Sequence, residues 1–261
     1  MVVNLWKYRK FIFINSVNDL RHRYAGSAMG VFWNVLNPLA QIFVFTLVFS
    51  QLMKIRLPDM SSTTGFAIYL CSGMLPWISF SECVSRGTHS FIENANYLKK
   101  LPIPEQIFVA QTAISGTLSI LISISLLLII NILIGVHIGW AWLLVPIILI
   151  LFQCFGFGLS LILGSINVFF RDIGQMVGII LQLWMWLTPI VYTKEIIPER
   201  FAYFMNFNPS FPFIDALHMT ILYNKSPASW EWTAMLLYAM VASIFGYLVL
   251  RKLRPEIRDV L

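Results

Sequence analysis

The stretch INVFFRDIGQMVG, residues 166–178, contains the Arg171–Asp172 pair, the only formal charges between Gln106 and Thr193. The 65 residues from Gln106 to Phe170 and the 21 from Ile173 to Thr193 carry no Asp, Glu, Lys or Arg. About 20 apolar residues cross the hydrocarbon core of a bilayer as a helix. The pair therefore predicts a short polar turn between two membrane-spanning helices. A polar turn is by itself a sufficient reason for the two charges.

The composition of the whole chain agrees with a membrane protein. Hydrophobic residues make up 58% and charged residues 11%, whereas a soluble domain averages about 25% charged residues. The segment Gly135-Val-His-Ile-Gly139 divides the longest uncharged run into two helices. We predict an all-α integral membrane protein with a single transmembrane domain over residues 1–261. Its six spans are predicted at 34–53, 66–86, 107–134, 141–167, 174–193 and 232–250.

Lys and Arg fall unevenly on the two sides of this arrangement. Thirteen lie in the N-terminal segment, the second and fourth loops and the C-terminal segment, and five lie in the other loops. Cytoplasmic loops carry the excess of positive charge, so both termini are predicted in the cytoplasm. We attribute the net charge of +6 to this topology and expect no nucleic-acid partner. An aromatic belt is then formed by Trp33 at the inner interface and by Trp140, Trp142, Trp230 and Trp232 at the outer one.

Residues 4–24 precede the first span and form a predicted amphipathic helix. Phe13, Val17, Leu20 and Tyr24 repeat at intervals of four, three and four residues. Such a helix lies on the inner leaflet, with its basic residues near anionic headgroups. Membrane anchoring would be a sufficient role. We expect no cleavable signal peptide, because the apolar block Phe11–Ile14 is too short for one.

The second loop, residues 87–105, is long and has a helical pattern. Phe91, Ala95 and Leu98 share one helical face. Pro102 and Pro104 then end this helix, and the next one begins. Two interpretations stay open: a surface helix that docks a cytoplasmic partner, and a solvated connector.

The outer segment, residues 194–231, is apolar but is interrupted by prolines. Pro198, Pro209 and Pro212 divide it, and Asp215 is the only charge between residues 201 and 223. It is too short and too broken for two further spans. Half-inserted or interfacial helices are the predicted structure, and the alternative is a loop resting on lipid.

Catalytic and metal-binding motifs are missing from the sequence. It has no G-x-x-x-x-G-K-[ST], H-E-x-x-H or G-x-S-x-G motif. We therefore expect no catalytic residues, no metal site and no ATP hydrolysis by this chain. Glu82 is the only carboxylate within a predicted span, which argues against an ion-coupled carrier. The remaining candidates for metal or thiol chemistry are scattered and are read as packing or surface residues: His22, His89, His137, His218, Cys71, Cys83 and Cys154.

Aromatic side chains are the remaining chemical signal. They lie within predicted spans, away from the interfaces: Phe43, Phe45, Phe49, Trp77, Trp184 and Trp186. Flat apolar rings with an N–H group suit the C–H faces and hydroxyls of sugars. Helix packing is the simpler explanation on composition alone. Pro76 and Pro189 lie in two of these spans and predict kinks.

Five blocks of the sequence resemble the membrane subunits of bacterial polysaccharide ABC exporters, the type-2 ABC permeases. In order, they are DLRHRYAGSAMGVFWNVLNPL (19–39), YLCSGMLPWISFSECVSR (69–86), NANYLKKLPIP (94–104), NVFFRDIGQ (167–175) and TPIVY (188–192). The resemblance covers nearly the whole chain. The FFRD block is more similar to the O-antigen (Wzm-like) and teichoic-acid branch than to the capsule branch.

This resemblance implies a homodimer in the inner (plasma) membrane with two cytoplasmic ABC ATPase subunits. It implies that an undecaprenyl-linked polysaccharide passes through a channel between protomers, lined mainly by the first and fifth spans. The chain itself would bind no cofactor, since ATP and Mg²⁺ belong to the ATPase. Implied channel residues are Phe43, Phe45, Phe49, Trp77, Trp184, Trp186 and Tyr192.

The resemblance also implies roles for the cytoplasmic segments. Helix 4–24, with Arg21, Arg23 and Tyr24, would be an interface helix, and residues 88–101 would be the coupling helix. The outer segment would be a pair of re-entrant helices. In relatives an Arg often stands near the position of His218, and this sequence departs from that pattern at the outer mouth. Residues implied to contact the ATPase are Glu93, Asn94, Leu98, Lys99, Arg171 and Asp172.

Other classes of function stay open at this point. A capsule or teichoic-acid exporter subunit would share most of these features. A multi-pass enzyme of lipid-linked glycan assembly would need a cluster of acidic or His residues at the membrane surface, and a scaffold protein would need none of these roles.

Overall fold

A computed structural model describes residues 1–24, 26–52, 63–194, 205 and 207–261. Two short helices come first, α1 (Val2–Lys7) and α2 (Arg9–His22). A 3-10 turn, Gly30–Phe32, leads into α3 (Trp33–Phe45), which continues as a π-helical segment, Thr46–Leu52. The remaining helices are α4 (Thr63–Glu93), α5 (Ala95–Lys100), α6 (Gln106–Leu133), α7 (Val145–Asn167), α8 (Asp172–Leu187), α9 (Phe211–Ile221) and α10 (Ser229–Val260).

Within the described ranges, five helical segments are long and apolar enough to cross a membrane. They are Gly30–Phe49, Thr64–Glu93, Gln106–Leu133, Trp140–Asn167 and Ser229–Val260. The predicted span 174–193 corresponds to α8, which has 16 residues. At 1.5 Å per residue α8 is about 24 Å long, shorter than the ~30 Å hydrocarbon core. The all-helical membrane class is confirmed, and a sixth full span stays a prediction.

Proline chemistry explains where α8 ends. Thr188 has φ −106° and ψ 135°, an extended conformation, and this is the conformation that a following proline imposes. Pro189 therefore terminates the helix instead of kinking it. Pro76, by contrast, lies inside the continuous helix α4.

A glycine turn separates α6 from the following helix. Gly135 has φ +80°, a left-handed conformation that glycine adopts at low cost just after a helix. Residues Trp140–Leu144 then form a 3-10 turn that leads into α7. The 65-residue uncharged run is therefore two helices, as the sequence predicted.

Helix α4 is the centre of the bundle and packs against α6, α7, α8 and α9. Phe80 of α4 stacks on Phe152 of α7, with ring centroids 4.3 Å apart. On its other side α7 packs against α10 through Gly158 and Gly246. A Cβ atom at either glycine would overlap backbone atoms of the opposite helix. Small residues permit such close approach between membrane helices, where dispersion contacts stabilise the packing.

The N-terminal segment differs from the predicted single amphipathic helix. It is divided at Tyr8, and the buried residues of α2 are Ile12, Ser16 and Leu20. Phe13, on the predicted apolar face, is 54% exposed, and that face was predicted to lie against lipid. The face that packs inside the chain centres on Ser16, whose Oγ donates to the Gln111 carbonyl of α6 at 2.9 Å. A pattern of apolar residues alone does not reveal a packing face centred on a serine.

The predicted coupling segment, residues 88–101, is also divided. Helix α4 continues to Glu93, beyond the predicted span end at 86, and α5 follows a break at Asn94. The predicted outer segment contains the short helix α9, with Pro212 in its first turn, and its re-entrant position stays a prediction. The other predicted re-entrant helix falls mainly on residues 195–204, which lie outside the described residues.

Candidate functional site

Helix α3 presents polar and aromatic side chains on its outer surface. Phe43 is 65% exposed and Asn37 is also exposed. Gln41 Nε2 lies 3.5 Å from Asn37 Oδ1, one helical turn away. Phe45 packs partly against the core, and Phe49 lies 5.6 Å from the Phe66 ring. Of the predicted channel residues on this helix, Phe43 is the most accessible.

Helix α8 has a similar surface. Gln175, Gln182 and Trp186 are exposed, and their spacing of seven and four residues places them on one helical face. Tyr192 Oη donates to the Trp186 carbonyl at 2.9 Å, so the segment after the helix folds back toward its end. Trp186 is 56% exposed and is available to a ligand or a second chain.

Trp77 and Trp184, predicted as channel residues, belong to a packed aromatic cluster. Trp77 is 3% exposed and meets Trp184 edge-on, with centroids 5.9 Å apart. Trp184 also lies edge-on to Phe80 and Phe155. Its Nε1 donates to Asn208 Oδ1 at 2.7 Å. In this conformation Trp77 holds α4 against α8 and offers no ring face to a channel.

Asn208 fixes the end of α8 to the beginning of α9. Its Nδ2 donates to Thr188 Oγ1 at 3.0 Å, and its Oδ1 accepts from the Ser210 N–H at 3.1 Å. The sequence indicated only a proline-rich break at this point. The network shows why the break has a defined geometry.

The predicted coupling residues divide into exposed and buried members. Glu93 and Lys99 are exposed, and Asn94 Nδ2 donates to the Ser90 carbonyl at 2.8 Å. Leu98, predicted to contact a partner, is 2% exposed, because it packs into the core below α5. Tyr97, which the sequence reasoning missed, is 57% exposed. The surface that faces outward from α5 is therefore formed by Tyr97 and the charged residues, while Leu98 anchors the helix.

Arg171 and Asp172 are both exposed in the turn between α7 and α8. Asp172 lies in the first turn of α8, where a negative charge interacts favourably with the helix dipole. The geometry of the turn depends on Asn167, which is 1% exposed. Asn167 Nδ2 donates to the Thr88 carbonyl of α4, and its Oδ1 accepts from the Gly174 N–H, each at 3.0 Å. The turn is thereby fixed to the same end of α4 that leads into α5.

Charged residues connect α2 to α4 and α6. Arg86 Nη2 lies 2.6 Å from Asp19 Oδ1, and Arg23 Nη1 lies 2.8 Å from Glu82 Oε1. Burial alone would raise the pKa of Asp19, but hydrogen bonds from Arg86 and Ser115 outweigh it. The pKa of Asp19 therefore lies below its ordinary value. Of the predicted interface-helix residues, Arg23 belongs to this cluster. The other two behave differently: Arg21 is exposed, and the Tyr24 ring lies 6.2 Å from the Trp33 ring.

A second ion cluster ties the end of the coupling segment to α10. Glu105 is fully buried, and Arg258 Nε lies 2.7 Å from its Oε1 while Arg254 Nε lies 2.8 Å from its Oε2. Glu105 directly precedes α6 in the chain. Its partners are about 150 positions later in the chain, so no local pattern reveals them.

In the predicted outer segment, α9 carries a buried His218 whose ring stacks on Tyr69 with centroids 3.9 Å apart. Burial lowers the pKa of His218 to about 3. The ring is therefore neutral at physiological pH and supplies no positive charge. Lys194 Nζ pairs instead with Asp215 at 3.1 Å. No group of three His, Cys, Asp or Glu side chains that suits a metal ion occurs in the described ranges.

Comparison with known proteins gives one family and several relatives. The family model described as ABC-2 type transporter matches residues 11–222. An O-antigen export system permease protein of Klebsiella pneumoniae is 26% identical over 100% of this chain and 98% of its own length. The protein of the same description from Myxococcus xanthus is 29% identical over 77% of this chain and 75% of its own. A polysialic acid transport protein of Escherichia coli is 22% identical over 92% of each chain.

Proposed function

The chain belongs to the ABC-2 type transporter family, and on that premise we propose that it is the membrane subunit of an ATP-driven polysaccharide exporter. Its substrate is a lipid-linked polysaccharide of the O-antigen class, carried on undecaprenyl and moved from cytoplasm to periplasm. Relatives described as O-antigen export permeases, with similarity over 77–100% of this chain, support this proposal.

The observation that carries the proposal is the set of amide side chains exposed on apolar helices. Asn37 of α3 and Gln175 and Gln182 of α8 are exposed in the single chain. An amide that faces lipid without a hydrogen-bond partner costs several kcal/mol. These side chains are stable where they face water or hydroxyl groups. We therefore assign α3 and α8 to the wall of an aqueous channel, with Phe43 and Trp186 as ring surfaces for sugars.

A second copy of the chain is needed to complete that wall. Only Gly174, Val177 and Leu181 of α8 are buried, so most of the surface of this helix lacks cover from its own chain. One copy leaves the amide face of α8 open on one side. A homodimer that pairs these surfaces encloses it.

ATP hydrolysis belongs to a partner in this proposal. Two cytoplasmic ATPase subunits, which hold ATP and Mg²⁺, dock on α5 and on the Arg171–Asp172 turn. Asn167 connects that turn to α4, and α4 leads directly into α5. A force applied at either contact therefore reaches the same helix. A partner that binds one arrangement of these contacts more tightly shifts the population of open channels. Both termini lie in the cytoplasm and the protein lies in the inner membrane.

A capsule exporter subunit is the second candidate. The polysialic acid transport protein, with 92% coverage of each chain, favours it. The O-antigen relatives are more similar, at 26–29% identity, and they favour the first candidate. The identity of the glycan that accumulates in the cytoplasm of a deletion strain separates the two.

Co-purification and export together test the proposal. We expect an ABC ATPase to co-purify with the chain and export to depend on both proteins. Trp186→Ala is expected to reduce export severely with normal protein level and dimerisation, because it removes an exposed ring from the channel face. Trp140→Ala is the matched control, since Trp140 is also exposed, at 63%, but lies at a predicted membrane interface. Export without an ATPase, or equal export by the two variants, would refute the assignment.

A further inference from the structure

A polar cavity of about 270 Å³ lies between the end of α2 and helices α3, α4 and α6. It is lined on the α3 side by Asn34, Asn37 and Gln41, and on the α4 side by Ser79 and Glu82. The rest of its wall includes Arg23, Tyr24, Trp33, Ser119 and Ser123. Asn34 and Ser79 already donate to the carbonyls of Leu20 and Gly116, but amide and hydroxyl groups have further donor and acceptor positions that water or a ligand can occupy. The cavity therefore suits a hydrogen-bonding occupant.

The charged side chains around the cavity are paired with one another, which favours a neutral ligand. Arg23 pairs with Glu82, and Arg86 pairs with Asp19. Two positive and two negative side chains compensate each other, so no unpaired cation remains here for a phosphate. Arg23 Nε is buried without a hydrogen-bond acceptor among the described residues, and it can donate to a hydroxyl. A neutral polyhydroxylated molecule fits this balance.

The aromatic part of the wall and the volume of the cavity indicate which ligand fits. Tyr24 and Trp33, with rings 6.2 Å apart, stand at one side, and Trp33 is 39% exposed. Ring faces bind the C–H faces of a pyranose, while amides and hydroxyls bind its oxygens. Pockets for drug-sized ligands begin at about 300 Å³, so a cavity of about 270 Å³ suits a single sugar unit.

We propose that this cavity is a subsite for one pyranose unit of the exported glycan. The proposal rests on the proposed function, because it takes the glycan as substrate. The cavity adjoins the ion cluster that joins α2 to α4 and α6. A bound sugar therefore touches both the interface helix and the first span.

Two serines of α6 provide a matched test. Ser123 lines the cavity and donates to the Ser119 carbonyl. Ser125 is exposed and donates in the same way to the Leu121 carbonyl of its own helix. Ser123→Leu fills the cavity with an apolar side chain, whereas Ser125→Leu places the same side chain on the outer surface. Both substitutions remove one hydroxyl and one hydrogen bond within the helix.

The measurement is saturation-transfer NMR on the complete transporter in lipid nanodiscs. The probes are glucose, galactose, mannose, rhamnose and N-acetylglucosamine, with sorbitol as the open-chain control that has hydroxyls but no ring face. We expect transfer to at least one pyranose and none to sorbitol. Ser123→Leu is expected to lower this transfer to what the channel rings contribute, and Ser125→Leu to keep it. A cavity that holds only water gives equal transfer in the two variants, and that result would overturn the proposal, as would the absence of transfer to every pyranose.

A second variant and a second measurement keep the outcomes distinct. If Ser123→Leu fails to assemble with its ATPase, Ser119→Leu, at the other α6 serine that lines the cavity, replaces it with the same expectation. Glycan export is measured in parallel for wild type and variants. If the wild-type protein exports glycan but shows no sugar transfer, the sugar subsite is refuted and the proposed function is not. Absence of wild-type export refutes the proposed function, while the NMR result still decides whether the cavity binds a sugar.

Discussion

Replacing Asn167 with alanine separates the α7–α8 turn from α4 without altering the exposed charges of the turn. The substitution removes two hydrogen bonds, one to the Thr88 carbonyl and one from the Gly174 N–H. The Gly174 N–H still lies 3.3 Å from the Arg171 carbonyl, and Thr88 lies inside a helix, so neither backbone group is left fully unpaired. Two hydrogen bonds at about 1 kcal/mol each, plus a small void, give a loss of about 2–3 kcal/mol.

A loss of that size changes the population of the docked turn by about 30-fold to 150-fold. We expect Asn167→Ala to lower the melting temperature of the purified complex and to reduce export per ATP hydrolysed, since one of two proposed ATPase contacts loses its fixed position. The assays are thermal unfolding, ATPase rate and glycan export on the same preparation.

Asn15→Ala is the control for that experiment. Asn15 Nδ2 donates to the Phe11 carbonyl at an exposed position of α2, and surface substitutions usually change stability by less than about 0.5 kcal/mol. We expect it to match wild type in all three assays. If Asn167→Ala also matches wild type in stability and in export per ATP, Asn167 does not hold the turn and the reasoning is wrong.

Three further outcomes follow from the structure. Gly246→Leu is expected to destabilise the protein by more than about 2 kcal/mol in a thermal unfolding assay, because backbone atoms of α7 occupy the space; Gly178→Leu, where a Cβ meets no atom within 4 Å, is expected to leave the fold of the single chain intact. Asp19→Asn is expected to destabilise at pH 7, and the difference from wild type should shrink only as the pH falls below about 4, the ordinary pKa of Asp, because a carboxyl with a lowered pKa loses its stabilising contribution when it is protonated; a difference independent of pH would contradict this. Glu93→Lys is expected to weaken ATPase co-purification and export, whereas the equally exposed Glu256→Lys is not; equal binding by both would remove Glu93 from the docking surface.

Local signals in the sequence predicted where the helices lie. Uncharged runs, the glycine break at Gly135 and the Arg171–Asp172 turn each depend on residues that are close together in the chain. The length of an apolar run acts through lipid, and a helix-breaking residue acts through the local backbone. Both can therefore be recognised in the sequence without knowing which residues come together in the fold. The exception was α8, where Pro189 ended the helix before the uncharged run ended.

Which face of each helix is buried was harder to predict. Trp77 and Leu98 were assigned to a channel and to a docking surface, and both are buried within the chain. Tyr97, Asn167 and Glu105 carried no local pattern that pointed to their positions.

The sequence by itself determined the class of the protein, the approximate positions of its helices and the turn at Arg171–Asp172. Only the tertiary structure decided how these helices are joined and which side chains remain accessible. The reason is sequence separation: Asp19 pairs with Arg86 across 67 positions, and Glu105 with Arg258 across 153. The residues on either side of a charged or aromatic side chain in the sequence do not show whether it faces lipid, water or another helix. Its neighbours, brought together by the packing of α4 against the rest of the bundle, determine what it can bind.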